Sequence, residues 1–222
     1  MWLPVKRVAS GSCACFRVDV AYHAESERDY HGAMFGNEDV KRLVECARRA
    51  LEAEDRYLVS CFKARHWRPW RGRPDGIRDN TNEHYYQFVI WRELMSSFPW
   101  RSRTEPQRYD LAFYHDETAK PVAYAEIKGW WSPSGEEELP GISRDLDKLG
   151  GSGIPGVMLI LTSHRTEVAE KNFCWLADKL GVSRNDMVTA SFPTSPWPGE
   201  EGDTEFAVIR FLANPKALPA SP

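Results

Sequence analysis

Several patterns that mark common functional classes are missing from this sequence. It contains no G-x-x-x-x-G-K-[ST] loop, which argues against ATP hydrolysis, and no G-x-S-x-G turn, which argues against a serine hydrolase. Its six histidines form neither an H-x-H nor an H-E-x-x-H pattern. No apolar run reaches the length of about 18 residues that a transmembrane helix requires, so we expect no membrane span.

Cysteine is sparse and irregularly placed. The chain has five cysteines, an odd number without a repeated pair, which argues against a disulfide scaffold. They are Cys13, Cys15, Cys46, Cys61 and Cys174. The Cys13-x-Cys15 pair lacks a second pair at zinc-binding spacing, so buried free thiols are the favoured interpretation.

A large excess of charge of one sign is also missing. The formal net charge is -3 over 222 residues, so contact with nucleic acid would require a local basic patch. The first seven residues lack the apolar stretch of a signal peptide, and we therefore expect a cytoplasmic protein with no membrane partner. A hydrophobic content of 42% predicts a packed globular core.

The pattern of apolar residues divides the chain into three predicted regions. Residues 1–80 are predicted to form an α/β extension packed on the core, residues 81–214 the core itself, and residues 215–222 a flexible tail. The predicted elements of the extension are a strand at 15–22, an amphipathic helix at 37–54 and a short buried strand at 57–62. Those of the core, apart from a hairpin, are helices at 82–98, 142–149 and 166–180 and strands at 103–105, 157–161, 187–191 and 205–212.

A basic loop is predicted at residues 63–78. It holds six positive charges and one negative charge, and its prolines and glycines exclude regular structure. Arginines can neutralise phosphates, and tryptophans can stack on unpaired bases. The candidate nucleic-acid contacts in this loop are Arg65, Trp67, Arg68, Trp70, Arg71 and Arg73. In the alternative interpretation, the tryptophans pack against the core and the arginines pair with carboxylates of the protein itself.

Two apolar runs that carry acidic residues predict the functional centre. Asp110 lies in the first run, Glu126 and Lys128 lie at the end of the second, and the polar segment 115–120 between them indicates a β-hairpin. Because Glu126 and Lys128 are two residues apart, they face the same side of a strand. Two carboxylates can hold a divalent cation, and a neighbouring ammonium can stabilise a developing anion, which is the chemistry of phosphodiester hydrolysis. The alternative is a solvated pair of charges beside Asp110.

The segment from 82 to 162 resembles the core of the PD-(D/E)XK nuclease superfamily. The resemblance rests on Asp110, fifteen intervening positions and then Glu126-Ile127-Lys128, within the order helix, antiparallel strands, helix and apolar strand. Tyr109 stands where the family name has a proline. The resemblance implies a restriction-endonuclease-like α/β fold, in which helices flank a mixed central sheet.

The resemblance also implies roles for individual residues. Asp110, Glu126 and the backbone carbonyl of Ile127 would bind Mg²⁺, for which Mn²⁺ could substitute. Lys128 would position the attacking water or offset charge at the phosphate. Glu83, near the start of the preceding helix, is the predicted helix-borne acid.

Three further residues remain as alternatives or additions to this set. Glu93 and Glu105 are alternatives to Glu83 as the extra acid. Lys148 is a candidate for phosphate contact, with an ordinary surface position as the alternative.

The function predicted from these residues is that of a metal-dependent nuclease, with DNA favoured over RNA as the substrate. A homodimer or an accessory protein partner is compatible with this class of enzyme. Two other classes remain open: a catalytically inactive nucleic-acid-binding module on the same fold, and a protein-interaction factor. Metal titration and nucleic-acid binding at moderate salt would distinguish them.

Overall fold

A six-stranded mixed sheet forms the centre of the described structure. The computed structural model describes residues 35–64, 76–77, 82–104, 108–115, 120–132, 134–194 and 203–213, which belong to one compact unit spanning residues 33–222. The helices are α1 (Asn37–Ala64), α2 (Glu83–Ser97), α3 (Leu139–Gly150) and α4 (Thr166–Leu180). The strands are β1 (Arg101–Thr104), β2 (Leu111–Tyr114), β3 (Ala123–Trp130), β4 (Gly156–Arg165), β5 (Val188–Thr194) and β6 (Thr204–Ala213).

The strand order is β1-β2-β3-β4-β6-β5. Only β3 and β4 run parallel, and α3 lies in the crossover between them. All other neighbours are antiparallel. The run 157–161 is confirmed as a central strand, and its side chains are fully buried in β4. This burial on both faces explains why the run is continuously apolar.

The helices cover opposite faces of the sheet. On one face, Tyr86 of α2 contacts Phe206 of β6, with the ring centroids 6.0 Å apart. On the other face, Phe173 of α4 packs against His164 of β4. Because residues 163 and 206 are register partners and side chains alternate along a strand, these two contacts lie on opposite sides. The sheet is therefore the middle layer of the fold.

Most of the predicted elements of the core are confirmed to within a few residues. The side chain of Asn82 caps α2, and Gly181 ends α4 in the left-handed conformation that glycine favours. The predicted hairpin is formed by β2 and β3, although β3 continues past Lys128 to Trp130. The predicted strand at 15–22 and the predicted tail at 215–222 lie outside the described residues. The predicted domain boundary at residue 80 stays a prediction.

The predicted strand at 57–62 is wrong. These residues form the last turns of α1, which continues to Ala64, and Tyr57 is 61% exposed rather than buried. A short apolar run has too few residues to distinguish the two-residue periodicity of a strand from the 3.6-residue periodicity of a helix. Extending an existing helix also costs less free energy than forming a new element. Each added residue gains a backbone hydrogen bond without the unfavourable nucleation step.

The described cysteines are free thiols. Cys46 is buried, Cys61 is half-buried and Cys174 is exposed. Cys13 and Cys15 lie outside the described residues. In the part of the chain that is described, no helix is long and apolar enough to cross a membrane.

Replacing Phe206 with alanine is expected to lower the free energy of unfolding by about 3–5 kcal/mol, measured by urea denaturation. The Phe206 ring is fully buried and stacks on Phe192 at 5.3 Å, so its removal leaves a cavity among aromatic rings. Phe88→Ala is the matched control, because Phe88 is 51% exposed and its loss should cost less than about 1 kcal/mol. Equal losses in the two variants would contradict this packing.

Candidate active site

The site lies along an open stretch of the β3 edge. Strand β2 pairs with β3 only as far as Leu111 opposite Ala125, and among the described residues no strand continues along that edge. Carboxylates accept the hydrogen bonds that a strand would have taken. Asp110 Oδ2 accepts from the Ile127 N–H at 2.7 Å, and Glu83 Oε1 accepts from the Gly129 N–H at 3.0 Å. The premature end of β2 therefore explains why acidic side chains gather here.

Asp110 and Glu126 form a pair of neighbouring carboxyl groups, of which Glu126 is buried and Asp110 half-buried. Asp110 immediately precedes β2, Glu126 lies within β3, and the charge of Asp110 acts on the carboxyl group of Glu126. Glu126 is only 4% exposed, so it is not the solvated surface residue of the alternative interpretation. Burial raises the pKa of Asp110, although the hydrogen bond from Ile127 opposes the shift.

Burial also raises the pKa of Glu126, to about 7. The nearby charges of Asp110 and Asp145 add to this shift, and the hydrogen bond from Lys148 opposes it. The surroundings therefore disfavour ionisation of both carboxyl groups at once. A cation in addition to Lys148 would favour the doubly ionised form.

Lys148 of α3 projects into the site. Its Nζ contacts Glu126 Oε1 and the backbone carbonyl of Arg108. It also lies 4.6 Å from the centre of the Tyr109 ring, which in turn stacks on Tyr124 with a centroid distance of 3.9 Å. The ammonium is thus held at the carboxyl pair by charge and by an aromatic face. Its predicted contact with phosphate stays a prediction.

Lys128 is surrounded by two other carboxylates. Its Nζ lies 3.1 Å from Glu83 Oε2 and 3.4 Å from Asp145 Oδ2. Burial alone would lower the pKa of Lys128, but the hydrogen bond with Glu83 and the charges of Glu83 and Asp145 outweigh burial and raise that pKa above its ordinary value. Lys128 is therefore a permanent cation at neutral pH, suited to stabilising an anion rather than to accepting a proton.

The structure brings together six residues that the sequence nominated: Glu83, Asp110, Glu126, Ile127, Lys128 and Lys148. Glu93 lies elsewhere, where it pairs with Arg49 of α1 at 3.3 Å. Glu105 lies outside the described residues, as do the six candidate nucleic-acid contacts of the basic loop.

Two residues of the site were not predicted. Asp145 contacts Lys128, and Gln87 Nε2 donates a hydrogen bond of 2.7 Å to the backbone carbonyl of Asp110. The helical spacing of the sequence could have indicated both residues. Asp145 lies three residues before Lys148 on α3, and Gln87 lies four residues after Glu83 on α2, so each shares a helix face with a nominated residue.

Three oxygen donors in the site are suited to a hard divalent cation. Asp110 and Glu126 supply carboxylate oxygens, and the Ile127 carbonyl faces the same strand edge as the Ile127 N–H. The raised pKa values of the two acids indicate that a cation there would relieve unfavourable burial of charge. Within the described ranges, however, no cluster of three or more His, Cys, Asp or Glu side chains is arranged to hold a metal ion.

Comparisons with known proteins assign no family to the chain. No family model, no curated protein and no solved structure matches it.

Proposed function

We propose that this protein is a Mg²⁺-dependent nuclease that hydrolyses phosphodiester bonds, with DNA favoured over RNA. The observation that carries the proposal is the Asp110–Glu126 pair beside Lys128, in which Glu126 is buried and Asp110 half-buried, and two other carboxylates keep Lys128 charged. Buried acids with raised pKa values are costly to a fold and are concentrated at functional sites. A divalent cation and a phosphodiester provide the positive and negative charges that this arrangement would bind.

The order of elements supports a restriction-endonuclease-like core. Helix α2 is followed by the antiparallel strands β1, β2 and β3, then by α3 and by β4 parallel to β3. This is the order on which the resemblance to PD-(D/E)XK nucleases rests. The positions of the candidate residues support the same core, with Asp110 immediately before β2 and Glu126 and Lys128 on β3.

The chemistry divides among these residues. Asp110, Glu126 and the carbonyl of Ile127 would hold the metal, which when bound supplies Lewis acidity and a more acidic water. Lys128 stabilises the negative charge that develops on the phosphoryl oxygens. Glu83 positions Lys128 through the contact of 3.1 Å and anchors the strand through the Gly129 N–H.

A catalytically inactive nucleic-acid-binding module is the second candidate. It is favoured by the contacts of Lys148 and Lys128, which already neutralise Glu126 and Glu83 without a metal. In such a module the lysine–carboxylate pairs would be structural. The protein-interaction factor predicted from the low net charge is distinguished from both by a failure to bind nucleic acid.

The test is cleavage of labelled single-stranded DNA, duplex DNA and RNA with Mg²⁺ or Mn²⁺. We expect metal-dependent cutting that Asp110→Asn abolishes, because an amide is a poor metal ligand although it can still accept from the Ile127 N–H. Asp178→Asn, which changes an exposed acid of α4 in the same way, should leave cutting unchanged.

Calorimetric titration with Mn²⁺ separates the candidates when no substrate is cut. Binding that Asp110→Asn removes would support a metal site that awaits its substrate. Absence of both cutting and Mn²⁺ binding would favour the inactive module, and cutting that survives Asp110→Asn would contradict the assigned centre.

A further inference from the structure

A groove between α2 and β1 lies beside the candidate active site. It has a volume of about 340 Å³ and is lined by four residues of α2 and one of β1. They are His84, Gln87, Phe88, Trp91 and Thr104. We refer to this cavity as the α2–β1 groove. It is large enough for a single planar ring system and combines aromatic with hydrogen-bonding groups.

The aromatic side chains of the groove are accessible to solvent rather than buried. Phe88 is 51% exposed, and its ring centroid lies 6.2 Å from that of Trp91. The Trp91 Nε1–H donates a hydrogen bond of 3.2 Å to the Ser102 carbonyl, which holds the indole against the edge strand. A fixed indole beside an exposed phenyl ring is a surface on which a flat, apolar face can stack without a large loss of side-chain entropy.

Positive charge lies at the edge of this aromatic surface. The Arg92 guanidinium is 6.0 Å from the centre of the Phe88 ring, and its side chain is 57% exposed. Glu54 holds it there with a contact of 3.0 Å. Aromatic rings with an arginine at their rim are the combination that binds bases together with their phosphates. An apolar peptide segment would make no favourable charge interaction with the Arg92 guanidinium.

The groove is continuous with the active site through one helical turn. Gln87 lines the groove and also donates to the backbone carbonyl of Asp110 at 2.7 Å. Glu83, which contacts Lys128, precedes Gln87 by four residues on the same face of α2, or about 6 Å along the helix axis. A nucleotide adjacent to a phosphate held at Lys128 can span this distance.

We propose that the α2–β1 groove binds an unpaired nucleobase of the nucleotide next to the scissile phosphate, with the base stacked on Phe88 and flanked by Trp91, whose ring plane is inclined by 49° to that of Phe88. This inference rests on the proposed nuclease function and specifies its substrate as one with an unpaired base at that position. The imidazole of His84 and the amide oxygen of Gln87, 3.4 Å apart, lie where the polar edge of the base would be.

The test measures binding and cleavage of a labelled single-stranded oligodeoxynucleotide by Phe88→Ala, Phe88→Trp and Phe88→Leu. Binding is followed by fluorescence anisotropy with Ca²⁺ in place of Mg²⁺, and cleavage with Mg²⁺. Phe88→Ala is expected to weaken binding about 5- to 150-fold, the loss of one stacked base. Phe88→Trp should retain affinity, and Phe88→Leu should not, because leucine keeps apolar area without an aromatic face. Met95→Ala, at an apolar residue of α2 that is 58% exposed, is the matched control.

A scan with one abasic nucleotide then locates the base. At one position next to the cleaved bond, the abasic substitution should weaken binding by wild-type protein, and Phe88→Ala should have no further effect on that substrate. The inference would be overturned, and the nuclease proposal left intact, if Phe88→Ala or Phe88→Leu bound the intact oligonucleotide as tightly as the wild type. The same conclusion would follow if no abasic position weakened binding by the wild type. Binding that depends on Phe88 without any cleavage would support the groove and contradict the proposed enzymatic function.

Discussion

Replacement of Lys128 with methionine is expected to lower the rate constant for phosphodiester cleavage by about 10²-fold or more. Methionine has nearly the length of lysine but no charge, so the variant removes the ammonium that Glu83 and Asp145 hold at 3.1 and 3.4 Å. Because the raised pKa of Lys128 keeps it charged, its contribution is to the transition state, where negative charge on phosphate grows. Single-turnover cleavage at saturating enzyme measures this step directly.

Lys171→Met is the control for this prediction, since Lys171 is an exposed residue of α4. It should cut at the wild-type rate. Affinity for nucleic acid, measured with Ca²⁺, should fall far less in Lys128→Met than the rate constant does. A variant that binds more weakly but cuts at the wild-type rate once saturated would show that Lys128 is a binding residue only.

Raising the pH from about 5 to about 8 is expected to destabilise the metal-free protein by as much as about 3 kcal/mol through Glu126. The pKa of Glu126 is about 7 in the folded protein, against 4.5 without burial. Between these values the folded state binds the proton more tightly than the unfolded state, so the free energy of unfolding falls as the pH rises. The raised pKa of Asp110 acts in the same direction. Urea denaturation in the presence of a chelator, repeated across this range, measures the slope.

Glu126→Gln isolates the contribution of this residue, because glutamine does not titrate. We expect the variant to lose much of the pH slope and to be more stable than the wild type at pH 8 in the chelator. Mg²⁺ should stabilise the wild type mainly at the alkaline end, where both carboxylates are ionised, and should not stabilise the variant. Glu136→Gln, at an exposed glutamate, should retain the wild-type slope. If Glu126→Gln kept the pH slope of the wild type, Glu126 would not be the source of that slope.

Local patterns in the sequence were sufficient for most of the core elements. The cap at Asn82, the glycine at 181 and the apolar run of β4 each depend on chemistry within a few residues, and the helices and the strand that they define are found where they were predicted. The spacing of two between Glu126 and Lys128 likewise places both on one face of β3. The failure at 57–62 arose where that local signal was too short to separate helix from strand.

The sequence by itself determined which residues carry charge and which faces of single elements they share. Only the tertiary structure decided which charges meet: it placed Glu83 rather than Glu93 at Lys128, brought Asp145 from α3 to the same ammonium, and set Lys148 on Glu126. These contacts join residues that lie far apart in the chain. They depend on where β2 ends and on how α2 and α3 pack around the open edge of β3, which no periodicity within one element encodes.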